Sequence, residues 1–424
     1  MINIPDTGKK RVVIAGCGFA GLTLARKLKN SGLQVVLIDK HNYHQFPPLF
    51  YQVASAGIEE TSILFPIRKI FHHYKDYYIR KCEVRSVDPA GNTLLTSVGP
   101  VKYDYLVLAI GATNNYYGSA EMEANSKGMK TIAEVIDLKN SILMNFEKSL
   151  IEEEESEKVN DLNIIIVGGG PSGVEIAGAL AEMNKYVIHK DYPELKKKNA
   201  SIFLLEGAPR LLGAMSEKSS EKARTFLEKM GVKVLLNTLV TGCSDKCIST
   251  NAGVKICSSL VIWTAGIKGN RIEGLEPSVF KKNSRIDVDG YCRVRGYENI
   301  FALGDLTFQI EEKYPDGYPQ VAQVAIQQAR LVASNLKRAK TGKAPREFRY
   351  RDKGTMATVG RNLAVVELPY LKFAGILGWF AWMFIHLMTI VGVRNKMVIF
   401  INWAWKYVTY DQSLRLIVRP KGYS

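Results

Sequence analysis

Two glycine fingerprints constrain this chain more than anything else in it. Gly16-Cys17-Gly18-Phe19-Ala20-Gly21 and Gly168-Gly169-Gly170-Pro171-Ser172-Gly173 each follow a short apolar, β-branched run, residues 11–15 and 163–167. A run of that kind, closed by Gly-x-Gly-x-x-Gly and continued by helical spacing, folds as strand, tight turn and helix. The first glycine permits the turn, the second lets backbone approach a pyrophosphate, and the third lets helix and sheet pack closely. The helix N-terminus then faces the phosphate charge. Two such turns mean two dinucleotides, so the expected fold is α/β with two Rossmann-type dinucleotide-binding domains, an arrangement suited to passing electrons between cofactors.

The first unit is a complete strand-helix-strand. Residues 22–28 have helical spacing, and residues 35–39 form a second strand that ends on Asp39, 18 residues after Gly21 and placed for a ribose diol. Two later segments select the dinucleotide. Residues 299–305 are a strand ending in Gly304-Asp305, where the glycine allows close approach and the acid can bond a ribityl chain, which suits FAD. Residues 105–113 are a strand with a small-residue turn, Ala109, Gly111, Ala112 and Thr113, where the chain leaves the first domain. In the second unit Gly168, Gly170, Pro171, Ser172 and Gly173 open a helix over 174–180, and Glu206 ends the next strand after an insertion at 184–198. A carboxylate at that point repels a 2′-phosphate and favours NADH over NADPH, although Arg210 argues the other way. Ala265 and Gly266 close the unit. Glu175 is expected in the first helical turn, with contact to the nicotinamide or a proton route as its role.

Residues 318–329 read as a helix opened by Pro319, with Ala322, Ala325 and Ala329 giving a small-residue face for a flat ring. Gln323 and Gln327, one turn apart, present amides that can donate to carbonyl oxygens.

The chain of 424 residues carries a formal charge of +16, which points to an acidic or anionic partner. Residues 371–424 hold seven basic side chains against Asp411 alone, and are also very apolar. Residues 373–393 contain only His386 and Thr389 as polar residues, but glycines interrupt them, and Arg394-Asn395-Lys396 separates them from an aromatic run at 398–408. Two amphipathic helices lying in an anionic lipid surface fit this pattern better than one span. His386 reads as a satisfied interface residue. The opening residues leave no room for a signal peptide, so a cytoplasmic location is expected. The six cysteines form no Cys-x-x-Cys pair and are expected as free thiols, with no metal site.

On these residues the chain resembles the type II NADH dehydrogenases over essentially its whole length. The resemblance rests on Ala322-Gln323-x-Ala325-x-Gln327, on the stretch from His44 through Pro48 to Ala54, and on Glu175. It implies a single-chain flavoprotein that oxidises NADH through non-covalent FAD and reduces a membrane quinone without pumping protons. It also implies a peripheral position on the cytoplasmic face of the cell membrane. The residues at the FAD are then Gly16, Gly18, Ala20, Gly21, Asp39, Lys40, Pro48, Ala109, Gly111, Ala112, Thr113, Gly304, Asp305, Ala322 and Gln323. Those at NADH are Gly168, Gly170, Pro171, Ser172, Gly173, Glu175, Glu206, Ala265 and Gly266, and Glu175, Gln323 and Gln327 carry the chemistry. Ala179 departs from the pattern, since such helices commonly hold a second acid there. The implied domains are FAD-binding at 1–115 and 280–345, NADH-binding at 116–279, and a membrane-binding helical tail at 346–424. No nucleic acid partner is expected, and a homodimer is left open. The rivals are a sulfide:quinone oxidoreductase, which needs paired cysteines at the flavin, and a soluble reductase, which leaves the tail unexplained.

Overall fold

The computed structural model describes residues 2–151, 162–197, 201–244, 246–409 and 414–418. By contact the chain divides into two compact units: residues 1–45, 64–113 and 267–352 form the first, and residues 46–63, 114–266 and 353–424 the second.

The first unit is built on a five-stranded sheet, ordered Ile300–Ala302, Tyr105–Leu108, Arg11–Ala15, Gln34–Asp39 and Tyr77–Lys81, with every neighbouring pair parallel. Parallel strands are covered on both faces and so read as unbroken apolar runs; Val12 to Ala15 are all fully buried. Strand 300–302, nearly 200 residues from its partner at 105–108 in sequence, brings the Gly304-Asp305 turn to the same edge as the first fingerprint. A three-stranded antiparallel sheet, Val84–Asp88, Thr93–Thr96 and Gly99–Lys102, adds Val87, Leu94 and Val101 to the same core.

The second unit repeats the plan with four parallel strands, Val232–Leu235, Ile202–Leu205, Ile164–Val167 and Leu260–Trp263. Beside them lies an antiparallel sheet, Val240–Ser244, Cys247–Thr250 and Lys255–Cys257. Here the free-thiol expectation is corrected, because Cys247 and Cys257 are register partners on adjacent strands and form a disulfide. Sequence spacing gave no sign of it, since strand register rather than a short motif brings the two together. Cys17, Cys82, Cys243 and Cys292 are free and buried.

The C-terminal part of this unit opens with a hairpin, Thr355–Gly360 and Leu363–Glu367, joined by Lys372–Ala374. Helices Ile376–Thr389 and Val393–Thr409 follow. The fingerprint helix Pro171–Met183 lies directly on strand Thr355–Gly360, and the approach depends on Gly178, where a Cβ would collide with the Val359 carbonyl. Residues 46–63 join this unit through Asn395 Nδ2, which donates to Ser62 O at 3.0 Å, and Trp403 Nε1, which donates to Gln52 Oε1 at 2.8 Å. Among the described residues no helix is long and apolar enough to cross a membrane. Asp411, Arg419 and Lys421 of the basic tail lie outside the described residues.

Candidate functional site

In the first unit the fingerprint glycines divide as their spacing predicts. A Cβ at Gly16 would strike the Ala109 carbonyl, and one at Gly21 the Gly16 carbonyl, whereas Gly18 has nothing within 4 Å of that position. The second glycine therefore opens onto space, as a site for a diphosphate requires, and Gly18 caps helix Phe19–Lys27 without any side-chain bond. Asp39 uses its carboxylate to shape this loop: Oδ2 accepts from Cys17 N at 2.6 Å and Oδ1 from His41 N at 2.7 Å. Burial raises its pKa, and the same two N–H groups oppose that rise. Lys40 is exposed beside it.

The Gly304-Asp305 turn meets the fingerprint helix here. A Cβ on Gly304, whose φ is +73°, would lie 3.1 Å from Ala325 Cβ and 3.7 Å from Ala20 Cβ. Gly111 is likewise in the left-handed region, φ +70°, with open space before it, and Asn270 holds its flank by donating to Ile110 O at 2.7 Å. Ala112 and Thr113 continue as a strand paired with Ile267–Gly269. Pro48, in contrast, stands in the turn Pro47–Leu49 of the second unit.

The glutamine helix begins later than the sequence suggests. It spans Ala322–Lys340, capped by Val321 in extended conformation, and Pro319 precedes it, its carbonyl accepting from Val321 N at 2.9 Å. Gln327 is engaged on both sides of its amide by one residue, donating to Arg351 O at 2.9 Å and accepting from Arg351 N at 3.0 Å. Gln323 accepts from Tyr350 Oη at 3.5 Å. Both glutamines thus hold residues 350–351 against the helix.

The second unit repeats the loop chemistry. Gly170 has open space before it, and Cβ atoms at Gly168 and Gly173 would run into Ala265 and the Gly168 carbonyl. Pro171 and Ser172 open the helix. Glu206 Oε2 accepts from Gly169 N at 2.6 Å and Oε1 from Ala208 N at 2.8 Å, matching Asp39 bond for bond. Arg210 turns away, donating to Gly213 O at 3.1 Å with Glu217 at 3.9 Å. Tyr117 Oη donates to Ala265 O at 2.7 Å, and Gly266, φ +128°, follows it.

Glu175 is the fifth residue of helix Pro171–Met183, past the first turn, so the helix dipole does not explain its state. It lines a cavity of about 60 Å³ with Tyr51, Thr358, Trp382, Trp403 and Lys406, room for a few ordered waters. Glu175 is half-buried in the wall of this void. Burial pushes its pKa up to about 8, against the opposing pull of the Thr358 backbone N–H and the Trp382 indole. At neutral pH the carboxyl therefore keeps its proton. Trp382 is 1% exposed, with its indole turned to the Glu175 carboxyl. Tyr51 Oη accepts from Gln52 Nε2 at 2.8 Å. At the cavity rim Glu182 accepts from Arg361 N and stands 3.8 Å from Lys406 Nζ. His386 donates from Nδ1 to Trp382 O at 2.7 Å and stacks on the same indole at 4.1 Å, and burial holds its pKa down to about 4.

Residues 10–329 match the pyridine nucleotide-disulphide oxidoreductase family, and residues 353–409 match the NDH2 C-terminal domain. The type II NADH:quinone oxidoreductase NdhA of Mycobacterium tuberculosis is 33% identical over 420 residues, spanning 95% of this chain and 88% of that protein. The type II NADH:quinone oxidoreductase Ndh of the same organism is 32% identical over 420 residues, 95% of this chain and 89% of that protein. The chain belongs to the type II NADH:quinone oxidoreductases. The fold of this oxidoreductase is shared with Plasmodium falciparum NDH2 solved with NADH, at TM-score 0.87 and 19% identity over 97% of this chain and 100% of that one. It is also shared, at TM-score 0.72 and 19% identity over 97% and 96%, with a sulfide:quinone oxidoreductase of Aquifex aeolicus. The likeness to a rival class shows that fold alone does not separate the two; sequence kinship and the C-terminal domain do.

FAD is the cofactor of the family and NADH its substrate, and two residues not singled out from the sequence, Gln328 and Arg285, brace the segment that follows Gly304. Gln328 is fully buried, accepts from Gly304 N at 2.7 Å and donates to Thr307 Oγ1 and Gln309 Oε1 at 3.2 and 3.1 Å. It stands in the inward stripe Ala325, Gln328, Ala329, Val332, a polar residue at a core position that its spacing could have revealed. Arg285 locks the same loop through Thr307 O at 2.6 Å and Tyr318 O at 2.7 Å. Nothing in the sequence near Arg285 signalled this, because its partners lie more than 20 residues on.

Proposed function

We propose that the chain oxidises NADH and reduces a membrane quinone, with FAD held in the first unit and the NADH dinucleotide in the second. FAD, when bound, supplies both the hydride acceptor and the two-electron donor. The chain's own residues bind and orient. The observation that carries the reading is the twofold loop device, in which Asp39 and Glu206 each fix a fingerprint loop beside a glycine that faces open space. Glu206 spends both carboxylate oxygens on backbone yet keeps acceptor capacity for a ribose diol, and Arg210 is turned to Gly213 and Glu217, which supports NADH over NADPH.

Gln323 and Gln327 stand on the helix that faces the flavin in this reading, and Glu175 keeps a proton that a reduced quinone can take. The exposed stripes Leu377, Phe380, Phe384 and Met388, and Met397, Phe400, Ile401 and Trp405, form the surface that docks on anionic lipid at the cytoplasmic face. Arg394 and Lys396 stand in the first turn of helix Val393–Thr409, where headgroup phosphates would meet them. Anaerobic NADH should bleach the flavin's visible absorbance, and a short-chain quinone should restore it. A holoenzyme that NADH cannot bleach, or quinone cannot reoxidise, overturns the proposal.

A further inference from the structure

The second residue of each fingerprint is fixed at both ends of its peptide, but the two halves do so by different means. In the NADH half the Gly169 N–H is held by Glu206 and its carbonyl accepts from the Leu212 backbone N–H at 2.8 Å. In the FAD half the Cys17 N–H is held by Asp39, and its carbonyl is met at 2.8 Å by Nδ1 of His44. A backbone donor in one half is replaced by a side chain in the other.

The chemistry at His44 has one solution. A carbonyl oxygen only accepts, so Nδ1 carries the hydrogen. The ring is 2% exposed, with the edge of Phe19 at 5.7 Å, and Nε2 is buried with no partner. A second proton on Nε2 would find nothing to donate to, and burial with Arg26 nearby moves the pKa down against the pull of the Cys17 carbonyl. The imidazole is thus a neutral, single donor. It is held in place by its strand, where His44 is the register partner of Phe65. The groups it controls are those behind the open face of Gly18, the first N–H groups of helix Phe19–Lys27, which have no partner within the helix.

We propose that His44 is a positioning residue for FAD: its Nδ1–H fixes the Cys17 carbonyl and so sets the loop that receives the diphosphate. This rests on the assignment of FAD to the first unit. FAD retention then depends on a side-chain donor at position 44, while the NADH loop, tied by backbone, depends on no side chain in the corresponding place.

The test is FAD release from purified holoenzyme on dilution, followed by flavin fluorescence, with NADH affinity and thermal unfolding measured on the same preparations. Asparagine carries its amide nitrogen near the place of Nδ1, glutamine carries it near Nε2, and leucine has bulk without a donor. His44→Asn should retain FAD within about twofold of the parent, while His44→Gln and His44→Leu should bind it roughly tenfold more weakly, the loss expected of one buried hydrogen bond. NADH affinity should not change in any of them. Equal FAD loss in the asparagine and glutamine variants, or full retention in the leucine variant, overturns the proposal. If the leucine variant fails to fold, the asparagine and glutamine pair still decides, because both are amides and differ in reach. A parent protein that purifies without FAD would overturn the cofactor assignment itself, a result distinct from any pattern among the variants.

Discussion

Glu175 shows how little a residue's position in a motif says about its charge. Its ordinary pKa near 4.5 is raised to about 8 because burial penalises the charged carboxylate by more than the Thr358 N–H and the Trp382 indole stabilise it. A folded pKa above the unfolded one means that the native state holds a proton the unfolded chain has lost. Stability from this group is complete below about pH 4.5 and declines as the pH rises through 8. Glu175→Gln should remove that decline, so the thermal midpoint of the variant should fall less between pH 5 and pH 8 than that of the parent. An unchanged pH dependence would mean that Glu175 is ionised throughout. The same variant should also slow flavin reoxidation by quinone while leaving NADH bleaching intact, if the proton is delivered from this carboxyl. The identity of Glu175 was readable from the sequence, but its protonation was not, since the cavity around it is lined by residues 51, 358, 382 and 403 from distant segments.

Elements meet through glycine and glutamine in this chain. Gly178 lets helix Pro171–Met183 rest on strand Thr355–Gly360, and Gly178→Ala should cost about 1–3 kcal/mol, the range for an overpacked contact that must push two elements apart. Urea unfolding reads this directly, and a neutral result would show that the helix and strand slide without penalty. Gln328→Ala should be comparably costly, because it leaves the Gly304 N–H, Thr307 and Gln309 without their shared partner; a loss of about 2 kcal/mol with weaker FAD retention is expected. The helix that carries it was placed three residues early from the sequence. Pro319 is a good first residue for a helix, but the Val321 N–H closes a tight turn on the Pro319 carbonyl and the helix starts at Ala322.

For the whole molecule, the C-terminal residues are more than an anchor. Trp382 and Trp403 close the cavity around Glu175, and Lys372–Ala374 completes a sheet, so removing residues 371–424 would expose core rather than only detach a tail. Substitution on the outer stripes is the cleaner experiment. Phe380→Ser, Phe384→Ser and Phe400→Ser together remove exposed side chains each worth roughly 2 kcal/mol on burial. The triple variant should leave anionic vesicles in a flotation assay while its flavin is still bleached by NADH. Vesicle binding as tight as the parent's would refute the lipid-surface reading.

The sequence by itself determined the two dinucleotide loops, because Gly16, Gly18, Gly21 and their counterparts at 168, 170 and 173 are demanded locally, by turn geometry and close backbone approach. It determined the two terminal acids for the same reason, each lying one strand away from its loop. Tertiary structure alone decided what holds those loops from behind, His44 on one and the Leu212 backbone on the other. It alone paired Cys247 with Cys257, buried Gln328 beneath Gly304 and drew the C-terminal tryptophans around Glu175. Those features depend on contacts between segments distant in sequence, where the partner of a polar group is set by register and packing rather than by its neighbours in the chain.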